Sequence, residues 1–286
     1  MLGNKSTWCN LLNVIKIILL RLLKILKILF MKISNKAPRF FVSENLNLEE
    51  VLIKDKNIIH QLQKVLRKKV SDEVVLLDGE GIESFGVIKE ISKKEVVLEK
   101  QKMKIHQKEN YDDAGDGLEN FSKKIILAPV ILKKDNFELV IQKCTEIGIK
   151  NFQPIISERT EKDNLNFERL EKISREASEQ SEKIFLPKIF DTKTLEKFLI
   201  EKTQNKNENK IYALQFNSAK IEINKIKNFS KTNSDKELIF LVGPEGGWGE
   251  EDLKLFEKFN LENISLGNQI LRSETASISL SSLLLL

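Results

Sequence analysis

A chain of 286 residues can form one large domain or two of common size, and its 41% hydrophobic and 31% charged content suits a water-exposed globular enzyme with many solvated helix faces. Cys9, Cys144, His60 and His106 are its only cysteines and histidines, which excludes a disulfide framework, a zinc cluster of usual spacing and a Cys-His or Ser-His nucleophile system, and makes a reducing cytoplasm the expected setting. The net charge of +5 misleads: residues 1–38 hold seven of the 47 Lys and Arg and none of the 42 Asp and Glu, leaving 40 basic against 42 acidic groups, so any nucleic-acid contact needs a local patch.

The first segment is basic and amphipathic. Leu11 to Phe30 is rich in Leu and Ile but carries Lys16, Arg21, Lys24 and Lys27, which at about 100° per residue fall within roughly 140° of one helical face. Its longest uncharged run, Ser6 to Ile15, is too short to span a bilayer. Residues 1–30 read either as a membrane-surface or targeting helix, or as an extension upstream of a true start at Met31.

From Arg39 to about Lys100 the pattern is that of a small β-rich unit carrying one helix. Ile58 to Arg67 has helical spacing, Val74–Leu77, Phe85–Ile88 and Val96–Leu98 read as strands, and Asp78-Gly79 as a tight turn. His60 reads as a locally satisfied helix residue. Arg39, Arg67, Lys68 and Lys69 suit phosphate contacts and a solvated face equally well. Residues 107–122 lose periodicity and gather Asp, Asn and Gly, as a linker or insertion does.

Strands then alternate with helices, the signature of a parallel α/β sheet. Ile125–Val130 is a strand, and Asp135 or Asn136 can cap a helix in which Phe137, Val140, Ile141, Cys144 and Ile147 share one face, so Cys144 reads as core. A strand over Phe152–Ile156, a helix over Phe167–Lys183, a strand over Lys188–Phe190, a helix over Thr192–Lys202 and a strand over Ile211–Gln215 follow. Gln204–Asn209 and Asn228–Asp235 read as polar surface loops.

The carboxyl-terminal stretch carries the chemistry. Leu238–Val242 is an apolar run fit for a buried strand, broken by Gly243-Pro-Glu-Gly-Gly247, with Glu250, Glu251 and Asp252 where a helix amino terminus favours acids. A second strand-loop-helix unit follows: Ile264–Leu266, Gly267 to Arg272, then Ser273 onward. Both loops leave the carboxyl ends of their strands, the edge where parallel sheets bind ligands. Gly243, Gly246, Gly247 and Gly249 fall within seven residues, more than one turn needs, which suggests a backbone kept bare for a close ligand. Neither Gly-x-Gly-x-x-Gly nor a Walker loop is present.

At these residues the chain resembles a known family. Gly243-Pro-Glu-Gly-Gly247, followed by Leu266-Gly-x-x-Ile-Leu-Arg-x-Glu-Thr-Ala276, is similar to the paired motif of the RsmE family of ribosomal RNA methyltransferases, in the SPOUT class. Val140-Ile-Gln-Lys-x-Thr-Glu-Ile-Gly148, Pro154-Ile-Ile-Ser-Glu-Arg159, Glu176-Ala-x-Glu-Gln-Ser181, His60-Gln-Leu-x-x-Val-Leu-Arg67, Asp78-Gly-x-Gly81 and Pro38-Arg-Phe-Phe-Val42 extend the resemblance from about Arg39 to the end of the chain. The pattern begins just after Met31, which favours the upstream-extension reading of residues 1–30, and Leu286 falls within its last helix.

The resemblance implies an α/β fold: a small PUA-like β-barrel that grips RNA, followed by a parallel-sheet trefoil-knot domain. The expected organisation is an extension (1–30), the barrel (31–105), a linker (106–122) and the knot domain (123–286). It further implies S-adenosyl-L-methionine as co-substrate, no metal, a homodimer without membrane association, and methylation of uridine N3 in small-subunit (16S) ribosomal RNA within the assembled subunit. The alternative is a non-catalytic RNA-binding or ribosome-assembly protein on the same fold. For the co-substrate, the expected residues are Val242, Gly243, Glu245, Gly246, Gly247, Leu266, Gly267, Ile270 and Leu271, held mainly through their backbone. Arg159 and Arg272 are the cations expected to favour an anionic base. Glu274 or Glu245 is the candidate proton acceptor, or merely a holder of loop amides. Arg39, Arg67 and Lys68 are the candidate RNA contacts.

Overall fold

The computed structural model describes residues 37–107, 121–161, 164–204, 209–233 and 236–286. The Leu11–Phe30 segment and nearly all of the expected linker lie outside the described residues.

The amino-terminal part contains β1 (Arg39–Phe41), β2 (Glu50–Ile53), α1 (Lys56–His60, continued by a π turn over Gln61–Val65), β3 (Glu73–Leu77), β4 (Ile82–Ile91) and β5 (Val96–Ile105). The strands form one sheet in the order β1-β3-β4-β5-β2, with β1 parallel to β3 and the remaining pairs antiparallel. Asp55 starts α1 because its carboxylate accepts the free amides of Asn57 and Ile58 at 2.7 and 3.1 Å. Ile58, Ile59 and Leu62 then bury themselves with Val51, Ile53, Val74, Leu76, Ile88 and Leu98. Two strands, β1 and β2, lacked a legible alternation in the sequence. The helix expected to reach Arg67 stops earlier, and Arg67 itself turns left-handed with φ 52°.

The second part runs α2 (Phe121–Lys124), β6 (Ile125–Pro129), α3 (Lys134–Ile147), β7 (Asn151–Phe152), β8 (Ile155–Ile156), α4 (Phe167–Gln180), β9 (Lys188–Ile189), β10 (Lys193–Thr194), α5 (Leu195–Gln204), β11 (Lys210–Lys220), α6 (Ile223–Thr232), β12 (Leu238–Val242), α7 (Glu250–Lys258), β13 (Glu262–Ser265) and α8 (Ser273–Leu285). Six strands make a wholly parallel sheet in the order β13-β11-β12-β6-β7-β9. In β12, Leu238, Phe240 and Val242 face one core, with α3, α4, α6 and α8, while Ile239 and Leu241 face the other, with α5 and α7. Such two-sided burial is why this strand reads as an unbroken apolar run.

Several sequence expectations need correction. The strand expected over Phe152–Ile156 is two short pieces: β7 joins the six-stranded sheet, while β8 pairs with β10, with Pro154 between them unable to donate to a ladder. Helix α3 is capped by neither Asp135 nor Asn136; Lys133 occupies the cap position, and Asn136 points elsewhere. Part of the expected Asn228–Asp235 loop is helical in α6, whose Ile226 and Ser230 are buried. Cys144 is core, as expected, and burial pushes its thiol up to about 12. Among the described residues no helix is long and apolar enough to cross a membrane.

The two parts meet where Glu179 of α4 accepts the Phe41 amide of β1 at 3.0 Å. Burial, only partly offset by that hydrogen bond and by Arg175, and reinforced by Glu176 and Asp55, pushes the Glu179 carboxyl up from 4.5 to about 7. Its folded value lies above the unfolded one, so its contribution to stability is complete below pH 4.5 and is lost as pH rises through about 7. Glu179→Gln should therefore flatten the decline in stability over that window, as read by denaturant melts at half-unit pH steps; an unchanged profile would refute the assignment.

Candidate active site

The loops leaving β12 and β13 converge with the middle of β11, where its pairing with β13 shifts register, on one cleft of about 340 Å³. Val242, Leu266, Ile270, Leu271 and Ala276 give it apolar walls, and Gly243, Glu245, Gly247 and Gly267 line it from the two loops. The loops are held together directly, because Ser273 Oγ at the start of α8 donates to the Gly243 carbonyl at 2.6 Å.

The glycines of the first loop serve different ends. A Cβ on Gly243 would stand 3.0 Å from the Trp248 ring, which is locked by its Nε1 donating to Leu214 O at 2.8 Å and by edge-on packing against Phe256. Gly247, with φ 71°, has nothing within 4 Å of where a Cβ would stand, and the same holds for Gly267 in the second loop, with φ 145°. Both positions require glycine's backbone freedom and open onto free space.

A third segment braces the first loop from outside. The Arg159 guanidinium donates to Gly246 O at 2.6 Å, and Glu158 N donates to Asp252 Oδ1 at 3.1 Å. The Glu158 carboxylate accepts the Glu251 amide at 2.8 Å, and Asp252 accepts the Gly249 amide at 3.0 Å, so α7 is capped partly from 93 residues away.

The expected site residues separate accordingly. Val242, Gly243, Glu245, Gly247, Leu266, Gly267, Ile270 and Leu271 line the cleft; Gly246 does not, and its carbonyl is turned to Arg159. Arg159 is thus a brace rather than a cleft-facing cation. Glu245 sits at the rim with Oε1 at 3.5 Å from Lys133 N and 3.4 Å from Asn136 Nδ2, tying the loop to the start of α3. Arg272 is exposed between the cleft-lining Leu271 and Ser273; its carbonyl accepts the Ala276 amide at 2.8 Å, while its side chain makes no hydrogen bond or ion pair among the described residues. Glu274 lies off the cleft, 8% exposed, with Oε2 lacking a hydrogen-bond partner among the described residues.

Among the candidate RNA contacts, Arg39 is engaged within the protein. Its guanidinium is 2.8 Å from Glu83, in a cluster where His106 and Lys104 also approach that carboxylate at 3.1 and 3.7 Å. Burial pushes Glu83 up, but the Arg39 and His106 hydrogen bonds and the Arg39 and Lys104 charges together hold it below its ordinary value. Arg67 is exposed and Lys68 half-buried at the end of the α1 segment, beside exposed Val65, Leu66 and Val70.

Sequence reasoning missed Leu214, Gln215 and Phe216, which reach the cleft from β11, and Trp248, Ser265, Gln269, Ser273 and Ala276. Trp248 was discoverable as the single aromatic within the glycine loop. Nothing local marks the β11 residues, which arrive only through pairing with β12 and β13. Among the described residues no group of three or more His, Cys, Asp and Glu is placed to hold a metal ion.

The brace gives a double-mutant prediction. A Cβ on Gly249 would intrude on the Glu158 carboxylate, which must swing away and release the Glu251 amide. Gly249→Ala should cost about 1 kcal/mol in wild type and much less in a Glu158→Gly background, since the Cβ of residue 158 would itself stand 2.9 Å away. Equal costs in both backgrounds, measured by thermal melts, would sink this account.

Comparison with known proteins bears on the same residues. A family model described as RNA methyltransferase domain matches residues 119–285, and one described as RNA methyltransferase PUA domain matches residues 53–101. The ribosomal RNA small subunit methyltransferase E of Rickettsia conorii is 33% identical over 239 residues, covering 83% of this chain and 89% of the relative. That of Bacillus subtilis is 26% identical over 230 residues, covering 77% and 84%. The solved structure of the Neisseria gonorrhoeae protein of the same name, bound to S-adenosyl methionine, aligns with TM-score 0.69 and 25% identity over 86% of this chain and 95% of that one. A putative methyltransferase from Legionella pneumophila shares the fold with TM-score 0.70 at 22% identity, over 87% and 97% of the two chains. By these matches the chain belongs to the ribosomal RNA small subunit methyltransferase E family, with an RNA methyltransferase PUA domain preceding its RNA methyltransferase domain.

Proposed function

We propose that this protein transfers the methyl group of S-adenosylmethionine to N3 of a uridine in small-subunit (16S) ribosomal RNA. The observation that carries the reading is the convergence of both glycine loops on one apolar cleft at the carboxyl edge of the parallel sheet. The residues present suit the co-substrate: Leu266, Ile270, Leu271 and Ala276 offer a surface for a flat heteroaromatic ring, and Gly247 and Gly267 leave room where any side chain would intrude. The solved Neisseria gonorrhoeae relative, bound to S-adenosyl methionine, supports the same choice. When bound, S-adenosylmethionine supplies a methyl carbon activated by a sulfonium.

The chain's own residues then have two tasks. The apolar walls exclude water and fix the acceptor in line, worth about 7–11 kcal/mol where alignment is good. The uridine imide proton must also leave. Arg272, its side chain unpartnered beside two cleft-lining residues, is the group assigned to hold the anionic base. Of the two carboxylates, Glu245 lines the cleft and Glu274 does not, so Glu245 is the better placed to receive the proton. In this reading the strand order, with β12 set between β11 and β6, belongs to a trefoil knot. The PUA-like domain, 31–105, presents Arg67 and Lys68 to RNA, and the linker, 106–122, leads into the methyltransferase domain. The protein works in the cytoplasm as a homodimer, a reading supported by exposed Phe216, Ile270 and Leu271 at the cleft mouth.

The full chain, incubated with labelled S-adenosylmethionine and small subunits from cells lacking this protein, should place label in 3-methyluridine after digestion to nucleosides. Cofactor binding without that label would overturn the substrate, and absence of cofactor binding would leave the non-catalytic RNA-binding reading. Arg272→Ala should keep the fold and lower methyl transfer at least about a hundredfold; near-normal turnover would remove Arg272 from the mechanism. Sedimentation velocity should give a dimer.

A further inference from the structure

Two stretches picked out as motifs meet at a seam that methyl transfer does not use. In the PUA-like sheet, the Asp78 carboxylate accepts the amides of Glu80, Gly81 and Ile82 at 2.8 to 2.9 Å and so holds a tight turn. Gly79 and Gly81 take φ of 78° and 127° there. Space adds to backbone angle at Gly79, where a Cβ would stand 2.9 Å from Leu186; a Cβ on Gly81 would meet the His106 carbonyl of its own sheet at 2.4 Å and the Phe185 ring at 3.2 Å. The segment after α4 occupies that space. Leu186 N donates to Gly79 O at 3.1 Å, and Phe185 forms an antiparallel bridge with Glu80. Phe41, Val75 and Leu77 from the sheet share one buried cluster with Ile184 and Phe185.

The second contact comes from α4 itself. Glu179, in the Glu176-Ala-x-Glu-Gln stretch, accepts the backbone amide of Phe41, which lies on edge strand β1. An edge amide sealed under a helix needs such an acceptor, since water is excluded. Helix α4 packs on α3, and α3 packs on α8, whose first turn walls the cleft. A continuous packed path therefore runs from β1 to the site of methyl transfer.

We propose that Glu179 and the Ile184–Leu186 segment form a clamp that fixes the PUA-like sheet relative to the cleft, making Glu179 a positioning residue for the RNA. The role rests on the reading above that the sheet grips RNA while the cleft holds the methyl donor. Glu179 touches neither substrate nor co-substrate; it sets where an RNA held on one part presents its base to the other. A residue important only for stability would not separate RNA binding from turnover.

The test uses the full chain as wild type, Glu179→Ala, Glu179→Gln and Phe185→Ala, each also made with Cys9→Ser and spin labels on Lys89→Cys and Lys197→Cys, two exposed positions on β4 and α5. With labelled chains diluted into excess unlabelled chain, so that distances within one protomer dominate, electron–electron resonance should give one narrow distance distribution for wild type and Glu179→Gln, whose amide oxygen still accepts from Phe41. Glu179→Ala and Phe185→Ala should give clearly broader ones. In methylation assays Glu179→Ala should raise KM for small subunits about tenfold, the loss of roughly one buried hydrogen bond. Cofactor affinity and kcat should hold within about twofold, with Glu179→Gln restoring KM. A narrow distribution in both Glu179→Ala and Phe185→Ala overturns the clamp. So does a fall in kcat with KM unchanged, or a loss that Glu179→Gln does not restore. If the wild type transfers no methyl group, the proposed function fails while the distance distributions still judge the clamp.

Discussion

Strand β12 is buried on both faces and bonded along both edges, to β11 and β6, so it has no side chain to spare for chemistry and no freedom to move. Whatever polar work its region performs must come from the loop that leaves it. That loop begins at a fixed point and direction, and its glycines let backbone rather than side chains face the cleft. The second loop arrives beside it because β13 pairs with β11 on the same parallel sheet. The Ser273 hydroxyl, donating to the Gly243 carbonyl, sets the remaining distance between them. The cleft is thus a consequence of sheet order first and of loop composition second.

Several charged residues among the described ones are given structural duties by partners far away in sequence. Arg159 holds the carbonyl of Gly246, 87 residues on, and Glu158 caps a helix 93 residues on. Arg39 is spent on Glu83 within a half-buried cluster of four ionisable groups. Two of the candidate groups stand apart: exposed Arg272, whose side chain has no partner among the described residues, and Glu274, buried with one oxygen unpartnered. A cation left free beside an apolar cleft is in the condition expected of a group that waits for a charged partner. A buried carboxylate oxygen lacking a donor instead carries a desolvation cost.

The amino-acid sequence by itself determined the class of fold, the cleft-forming loops and the family. Those features are written in local pattern: apolar runs of strand length, helical periodicity, acids at a helix start and glycines packed closer than a turn requires. Residues in such patterns act through neighbours within a few positions, so they can be read one window at a time. Only the tertiary structure decided which loop residues face the cleft, that Gly246 turns outward, that Arg39 is paired and that Phe152–Ile156 divides between two sheets. It also brought Leu214 to Phe216 to the cleft and set Leu186 into the space that Gly79 leaves. These outcomes depend on which distant segment supplies a donor, an acceptor or a volume, and a contact between residues a hundred positions apart leaves no trace in the composition of either one.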